Sequence, residues 1–265
     1  MLLQHKTAVI YGGGGTLGGA VARAFAREGA TVHLAGRTQA KLDHVAMDVA
    51  AAGGLAHTAV VDALDEDAVG RHVDAVAAGA GQIDIALNAI GVVHVQGTPL
   101  AELSLADFMR PIDVYLRSNF ITARAVARHM VRRRTGVILM LSTPASRMAG
   151  TGFLGFGAAC GAVEALTRLL AAEVGGAGVR VACLRPEAVP QALATSHSRE
   201  IFSRVAERAG TTAEALLDER ARTTTLLGRF PTLDEVGDCA AFLASDRAGA
   251  MTGAIANLTC GALVD

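Results

Sequence analysis

Short apolar runs without polar alternation, each followed by a longer stretch of helical period, constrain this chain more than any other feature. "TAVIY" (7–11), "TVHLA" (31–35), "HTAVV" (57–61), "IDIAL" (83–87), "GVILML" (136–141), "VRVACL" (179–184) and "AIANL" (254–258) read as strands. A strand with one wet face alternates polar and apolar residues. These do not, so the sheet they form is expected to be parallel and covered by helices on both faces. Between them, "GGAVARAFAREGA" and "GAVEALTRLLAAEVGGAG" are helices, each closed by glycine. The rhythm runs the whole length, with no repeat, linker or composition break, and predicts one doubly wound α/β domain over 1–265 with about seven strands. Residues 186–230 break the rhythm, with helical stretches but no strand. An insertion at that edge of the sheet is either a substrate lid or an ordinary surface helical pair.

Composition narrows the function classes. The 265 residues are 51% hydrophobic, with 30 glycines against 8 phenylalanines, 2 tyrosines and no tryptophan, which suits closely packed helices and sheet. A formal charge of −1 gives no general reason to expect nucleic acid or an anionic membrane as partner. The basic run Arg132-Arg133-Arg134 closes a predicted helix, where cations suit the dipole. Cys160, Cys183, Cys239 and Cys260 are scattered, without disulfide or CxxC spacing, and no histidine stands at ligand spacing from another His or Cys. A reduced, cytoplasmic, metal-free protein is the expectation. "MLLQHKTAVIYGG" leaves no room for a signal peptide, and no apolar stretch reaches membrane-spanning length without polar interruption.

"VIYGGGGTLGGAVARAF" (9–25) sets a glycine-rich turn between the first strand and its helix. Such a turn lets backbone N–H groups approach a pyrophosphate, whose charge is then held at the helix N-terminus. The spacing Gly12-x-x-x-Thr16-Leu17-Gly18 resembles the GxxxGxG turn of the short-chain dehydrogenase/reductase family. Other landmarks agree along nearly the full length. "IDIALNAIGV" resembles the family's NNAG region, keeping Asn88 and Gly91. "VVDALDEDAV" places Asp62, followed by Ala63, where the family meets the adenine, and 227–265 resembles the family's C-terminal third. The resemblance implies a Rossmann-type fold binding a nicotinamide dinucleotide, with Pro186 in the loop beside it. Thr16 departs from the family's glycine. It would crowd the cofactor, bond a phosphate or cap the helix.

After the second strand, NAD-preferring relatives place an acid that bonds both ribose hydroxyls. This chain has Gly36 there, followed by Arg37, whose guanidinium suits a 2′-phosphate. NADP(H) is therefore expected over NAD(H).

The family's chemistry rests on a tyrosine that exchanges a proton with the substrate oxygen and a lysine four residues later that lowers its pKa. Here the tyrosine becomes Phe156 and the lysine Cys160, in "GFLGFGAACGAVEAL". A phenyl ring exchanges no proton, and a thiol is never the cation a lysine supplies. Thr143, with Ser142 adjacent, holds the serine position, and the asparagine of the preceding long helix becomes Tyr115. The family's Pro-Gly becomes Pro186-Glu187 and the threonine near the nicotinamide carboxamide becomes Gln191. The two tyrosines, Tyr11 and Tyr115, both fall where the family faces the cofactor cleft, so Tyr115 is either a substitute acid or packing.

Three readings follow. The chain is an oxidoreductase of unorthodox mechanism acting on a small carbonyl, alcohol or activated C=C or C=N bond, or a silent nucleotide-binding partner or sensor, or a non-redox enzyme reusing the pocket. The family's habit of pairing through helices matching 117–133 and 156–174 implies a homodimer or homotetramer.

Overall fold

Alternate residues along each strand decide which helices cover which face of the sheet. The computed structural model describes residues 1–264. Its strands are β1 (Thr7–Tyr11), β2 (Thr31–Gly36), β3 (Leu55–Val60), β4 (Ile85–Asn88), β5 (Gly136–Leu141), β6 (Val179–Pro186) and β7 (Ala254–Leu258). They form one parallel sheet in the order β3-β2-β1-β4-β5-β6-β7. The helices are α1 (Thr16–Arg27), α2 (Gln39–Ala51), α3 (Glu66–Ala80), α4 (Leu105–Arg133), α5 (Leu154–Gly175), α6 (Ser198–Arg208), α7 (Ala213–Thr224) and α8 (Leu233–Ala244). Ala8, Ile10, Val32, Leu34, Leu139 and Leu184 pack with α1, α2 and α8, whereas Val9, Tyr11, Ala35, Met140 and Cys183 pack with α3, α4 and α5. Because both faces are apolar, the strands carry no polar alternation, as the sequence pattern requires.

Of the strand ends that differ from the sequence reading, three have a local physical reason. β3 begins at Leu55, since the turn at Gly53 (φ +80°) delivers the chain straight into pairing with β2. β4 begins at Ile85, because Asp84 spends its carboxylate on the Thr7 amide at 2.8 Å. β6 runs on to Pro186, paired with Leu258, so the segment that follows starts from a rigid strand end. That segment holds a short 3₁₀ turn (Pro190–Ala194), α6 and α7, with no strand among its residues. The arginine run closes α4: Arg132 and Arg133 lie in its last turn, and Arg133 also pairs with the buried Asp84 at 3.4 Å. α5 has the length and apolarity of a membrane span, but it packs against α4 and β6 and holds a buried ion pair through Glu164.

On the outer half of the sheet, His33 of β2 stands in register with His57 of β3, their rings stacked with centroids 4.7 Å apart. Burial first, then His57 and His72, pushes the His33 pKa from 6.5 down to about 4, and its Nε2 has no hydrogen-bond partner among the described residues. The unfolded chain therefore binds a proton between pH 6.5 and 4 that the folded chain refuses, so this contribution to stability is full above pH 6.5 and is lost as pH falls towards 4. Urea denaturation at pH 7 and pH 5 should show a fall in stability, and His33→Phe should remove on the order of 1 kcal/mol of it. An unchanged difference between the two pH values would show that His33 does not titrate between the states.

Candidate cofactor and substrate cleft

The chain winds outward from β1 to β2 and β3, then returns to set β4 on the other side of β1. Loops leaving β1 and β4 thus diverge and open a crevice at the carboxyl ends of the strands. A cavity of about 740 Å³ lies there, running from Arg37 and Asp62 past Gly12 and Gly91 to Thr143, Tyr115, Phe156 and Cys160.

Backbone proximity builds its outer end. Gly12 has φ +78°, and a Cβ there would come within 2.6 Å of the Ala89 carbonyl oxygen, so the turn lies directly on the loop after β4. A Cβ on Gly18 would overlap the Gly12 carbonyl, so α1 lies as close against its own turn. Gly18 therefore packs and does not line the cavity, whereas Gly12, Thr16 and Leu17 do. α1 starts after Gly15 with no side-chain cap, leaving first-turn N–H groups of a twelve-residue helix for an anion. Thr16 does not cap the helix. Its hydroxyl meets that of Thr195 at 2.9 Å. Arg37 and the exposed Lys41 line the same mouth, and neither side chain has an ion-pair or hydrogen-bond partner among the described residues. An uncapped helix start beside two uncommitted cations fits the phosphates of a dinucleotide.

Other expected cofactor residues divide between lining and support. Asp62, Ala63, Gly91 and Pro186 line the cavity. Asn88 is buried behind it, donating to Thr122 Oγ1 at 3.1 Å and accepting from the Ile90 amide at 3.0 Å, so it shapes the loop that carries Gly91. Gln191 is elsewhere. Its side-chain oxygen accepts from the Leu233 amide at 2.8 Å, at the start of α8. Tyr11 also lies away from the cleft, because even spacing along β1 turns it towards α3, where its hydroxyl meets His72 Nδ1 at 3.1 Å.

At the inner end, Thr143 Oγ1 lies 3.4 Å from Cys160 Sγ and accepts from the Ala145 amide at 3.3 Å. Burial is the main cause pushing the Cys160 thiol up to about 11, so it is neutral and a poor nucleophile. Ser142 lines the same end, but its hydroxyl donates to Glu164 Oε1 at 2.9 Å. Ser146 donates to the same oxygen at 2.6 Å, and the buried Arg185 pairs with Oε2 at 3.5 Å. Tyr115 lines the cavity 6.3 Å, ring to ring, from Phe156. Burial first, then the Cys160 thiol, raises the phenol above its ordinary range, against a smaller opposite pull from a backbone hydrogen bond at Val92. It is a protonated phenol with no cation to make it a base.

Two groups have roles that the sequence reading did not assign. His94 stacks on Phe156 with centroids 4.0 Å apart and planes 14° from parallel. Its partners fix one tautomer: Nδ1–H donates to the Val92 carbonyl at 2.9 Å and Nε2 accepts from the Gln96 amide at 2.8 Å. Burial, foremost, lowers it to about 4, so it is a neutral ring with both nitrogens engaged. Glu187 is a buried carboxylate lining the cavity, held by the Ala188 amide at 3.1 Å and by Arg220 from α7. Its side chain needed a partner about thirty residues away, which no local pattern signals.

Comparison with known proteins agrees with this geometry. A family model described as enoyl-(acyl carrier protein) reductase matches residues 14–262. The chain is 31% identical to (+)-borneol dehydrogenase 2 of Salvia officinalis over 251 residues, 95% of this chain and 87% of that one. It is 32% identical to meso-2,3-butanediol dehydrogenase of Serratia marcescens over 254 residues, 96% and 93% of the two. A short-chain type dehydrogenase/reductase from Mycobacterium ulcerans superposes with a TM-score of 0.86 at 27% identity, covering 99% of this chain and 91% of its own. An NAD+-bound xylitol dehydrogenase, at 23% identity over 98% and 100% of the two chains, shares the fold with a TM-score of 0.89. The chain belongs to the short-chain dehydrogenase/reductase family of oxidoreductases.

Proposed function

We propose that this protein binds NADP(H) and reduces a small, largely apolar carbonyl compound or an activated C=C or C=N bond, using a proton donor other than the family's tyrosine. One observation carries the reading: the cleft is cationic at its outer end and protic, without a ready base, at its inner end. The cationic end is Arg37 and Lys41 beside the uncapped start of α1, with Gly36 where a ribose-binding acid would stand. A guanidinium favours a 2′-phosphate through charge-assisted bonds. Val93, Val114, Met148, Phe153 and Phe202 give the remaining cavity an apolar lining. The names of the relatives, borneol and butanediol dehydrogenases, point to hydroxyl and carbonyl groups as the reacting pair.

When bound, the nicotinamide would supply the hydride. The chain's own residues position the acceptor and furnish the proton. The Ala145 amide donates to Thr143 Oγ1, and where Cys160 S–H donates to it as well, the Thr143 hydrogen is left for a substrate oxygen. Tyr115 holds a second proton at the same end, in a buried setting that keeps it on the phenol. The phenol is the populated form and the phenolate that alcohol oxidation would need is not, so the site stands in the protonation state that reduction uses. The Phe156–His94 stack favours one competing reading, a nucleotide-binding protein without turnover, since it fills the place of the family's acid with a ring that moves no proton.

Titration by NADPH and NADH separates these readings from the start. NADPH should bind more tightly by tenfold or more, on the order of the ~1–3 kcal/mol of a charged hydrogen bond. Arg37→Ala should erase that preference, and equal affinities in the native protein would defeat the assignment. NADPH binding with no oxidation across a panel of ketones, enones and imines would leave the silent reading in place.

Tyr115→Phe tests the proton source, because it keeps the ring and removes only the acid. Reductase turnover should fall by about 10²-fold with NADPH affinity unchanged. Turnover that is indifferent to the change would assign the proton to Thr143 or water and leave Tyr115 as packing.

A further inference from the structure

The stretch Thr195–Ser198, between β6 and the body of α6, reaches into the cleft at two points. Thr195 touches the turn at the head of α1 through the Thr16 hydroxyl, 2.9 Å away. Two residues on, the His197 imidazole rests on Gly91. A Cβ at position 91 would overlap ring atom Cε1 and come within 3.0 Å of Nε2 and 3.2 Å of Nδ1. Only a glycine can carry the ring there.

Sheet order makes this place a crossing. Arg37 follows β2 and Thr143 follows β5, and between those strands lie β1 and β4. Any elongated ligand reaching from the cationic end to the protic end must pass over the loops leaving β1 and β4, and Gly91 is in the second of them. Contact and not bonding holds the imidazole in that path: its ring nitrogens make no hydrogen bond to a described residue, and it is absent from any ion pair. The groups around it are Lys41 on α2, Glu200 on α6 and His94 after β4. Burial, the largest influence, holds the ring neutral, so it places no charge on the shelf to draw a phosphate. The hydroxyls of Ser196 and Ser198 bond each other on either side of His197 and stiffen the loop that presents it.

We propose that His197 is a self-plug: in the free protein its imidazole lies on the Gly91 shelf and narrows the cavity where a bound dinucleotide must cross, and the cofactor engages the whole cleft only after residues 195–198 withdraw. The proposal rests on the nucleotide-binding reading above. It makes the apparent affinity for a full dinucleotide weaker than the intrinsic one by the fraction of molecules with the plug withdrawn. A ligand confined to the cationic end pays no such penalty.

Dissociation constants for NADPH and for adenosine 2′,5′-bisphosphate, measured by calorimetry on the native protein, His197→Ala and Thr195→Ala, test it. His197→Ala should tighten NADPH binding by about tenfold. Thr195→Ala, which removes the hydroxyl latch to Thr16 and leaves the imidazole in place, should tighten it less, in the same direction, and it carries the test if the first variant folds poorly. The bisphosphate should bind all three proteins alike. Unchanged or weaker NADPH binding in the variants would overturn the plug and make His197 a bystander or a ligand contact. Equal tightening of the bisphosphate would overturn it too, by moving the effect off the crossing. If no protein bound either nucleotide, the nucleotide-binding reading itself would fall, a result distinct from the other two.

Discussion

The contact of the Gly12 turn with the loop after β4 sets the rest of the cleft. Three backbone segments stack there: α1 on the turn through Gly18, the turn on the Ala89 carbonyl through Gly12, and Ala89 on the β4 end that Asn88 braces against Thr122. No side chain intervenes in the first two contacts, so a single methyl group at either glycine would separate segments that position the first turn of α1. That arrangement points the uncapped helix start at the same space as Arg37 and Lys41. The electrostatic character of the outer cleft is thus a consequence of where the backbone can approach itself.

A second constraint explains how the inner end keeps its shape around Phe156 and Cys160. Glu164, one turn beyond Cys160 on α5, gathers Ser142 and Ser146 from the segment after β5 and Arg185 from β6. A buried carboxylate costs several kcal/mol to desolvate and is held only by such a set of donors, so the elements that supply them are tied to one geometry. This network lies behind the cleft and needs neither a phenol at 156 nor an amine at 160. Thr143 and Cys160 meet at 3.4 Å because the network has already set β5 against α5. With Phe156 and Cys160 at these positions the pocket is still formed.

Much of this was legible in the chain. The apolar runs gave the sheet and its two covered faces, since burial on both sides removes polar alternation and leaves nothing else for those residues to do. The turn, Arg37, Asp62, Gly91 and Thr143 fell where a motif of fixed spacing places them, because each lies within a few residues of a strand end. What the sequence hid depends on partners far along the chain. Tyr11 went astray on a parity of one residue in β1, Gln191 on the irregular path after Pro186, and Glu187 on Arg220. His94 and His197 are separated by about a hundred residues and meet only through the cleft, and neither has neighbours in sequence that mark it.

The inner cleft also shows why a phenylalanine at 156 is more than a missing hydroxyl. His94, neutral and bonded through both nitrogens, offers a flat face that a ring at 156 covers at 4.0 Å. A charged lysine at 160 would stand among that stack, the Tyr115 ring and the Thr143 hydroxyl, and the nearby carboxylate on its own helix, Glu164, is already committed to Arg185 and two serines. A small thiol avoids that cost, and its own ionisation is suppressed by the same burial. The substitutions at 156 and 160 therefore belong together: once the cation is gone, a phenol at 156 would lose the partner that makes it useful, and an aromatic ring that packs on His94 is the better occupant. The protic groups that line this end of the cleft, Tyr115 and Thr143, are both neutral hydroxyls, which is the premise of the reductase proposed above.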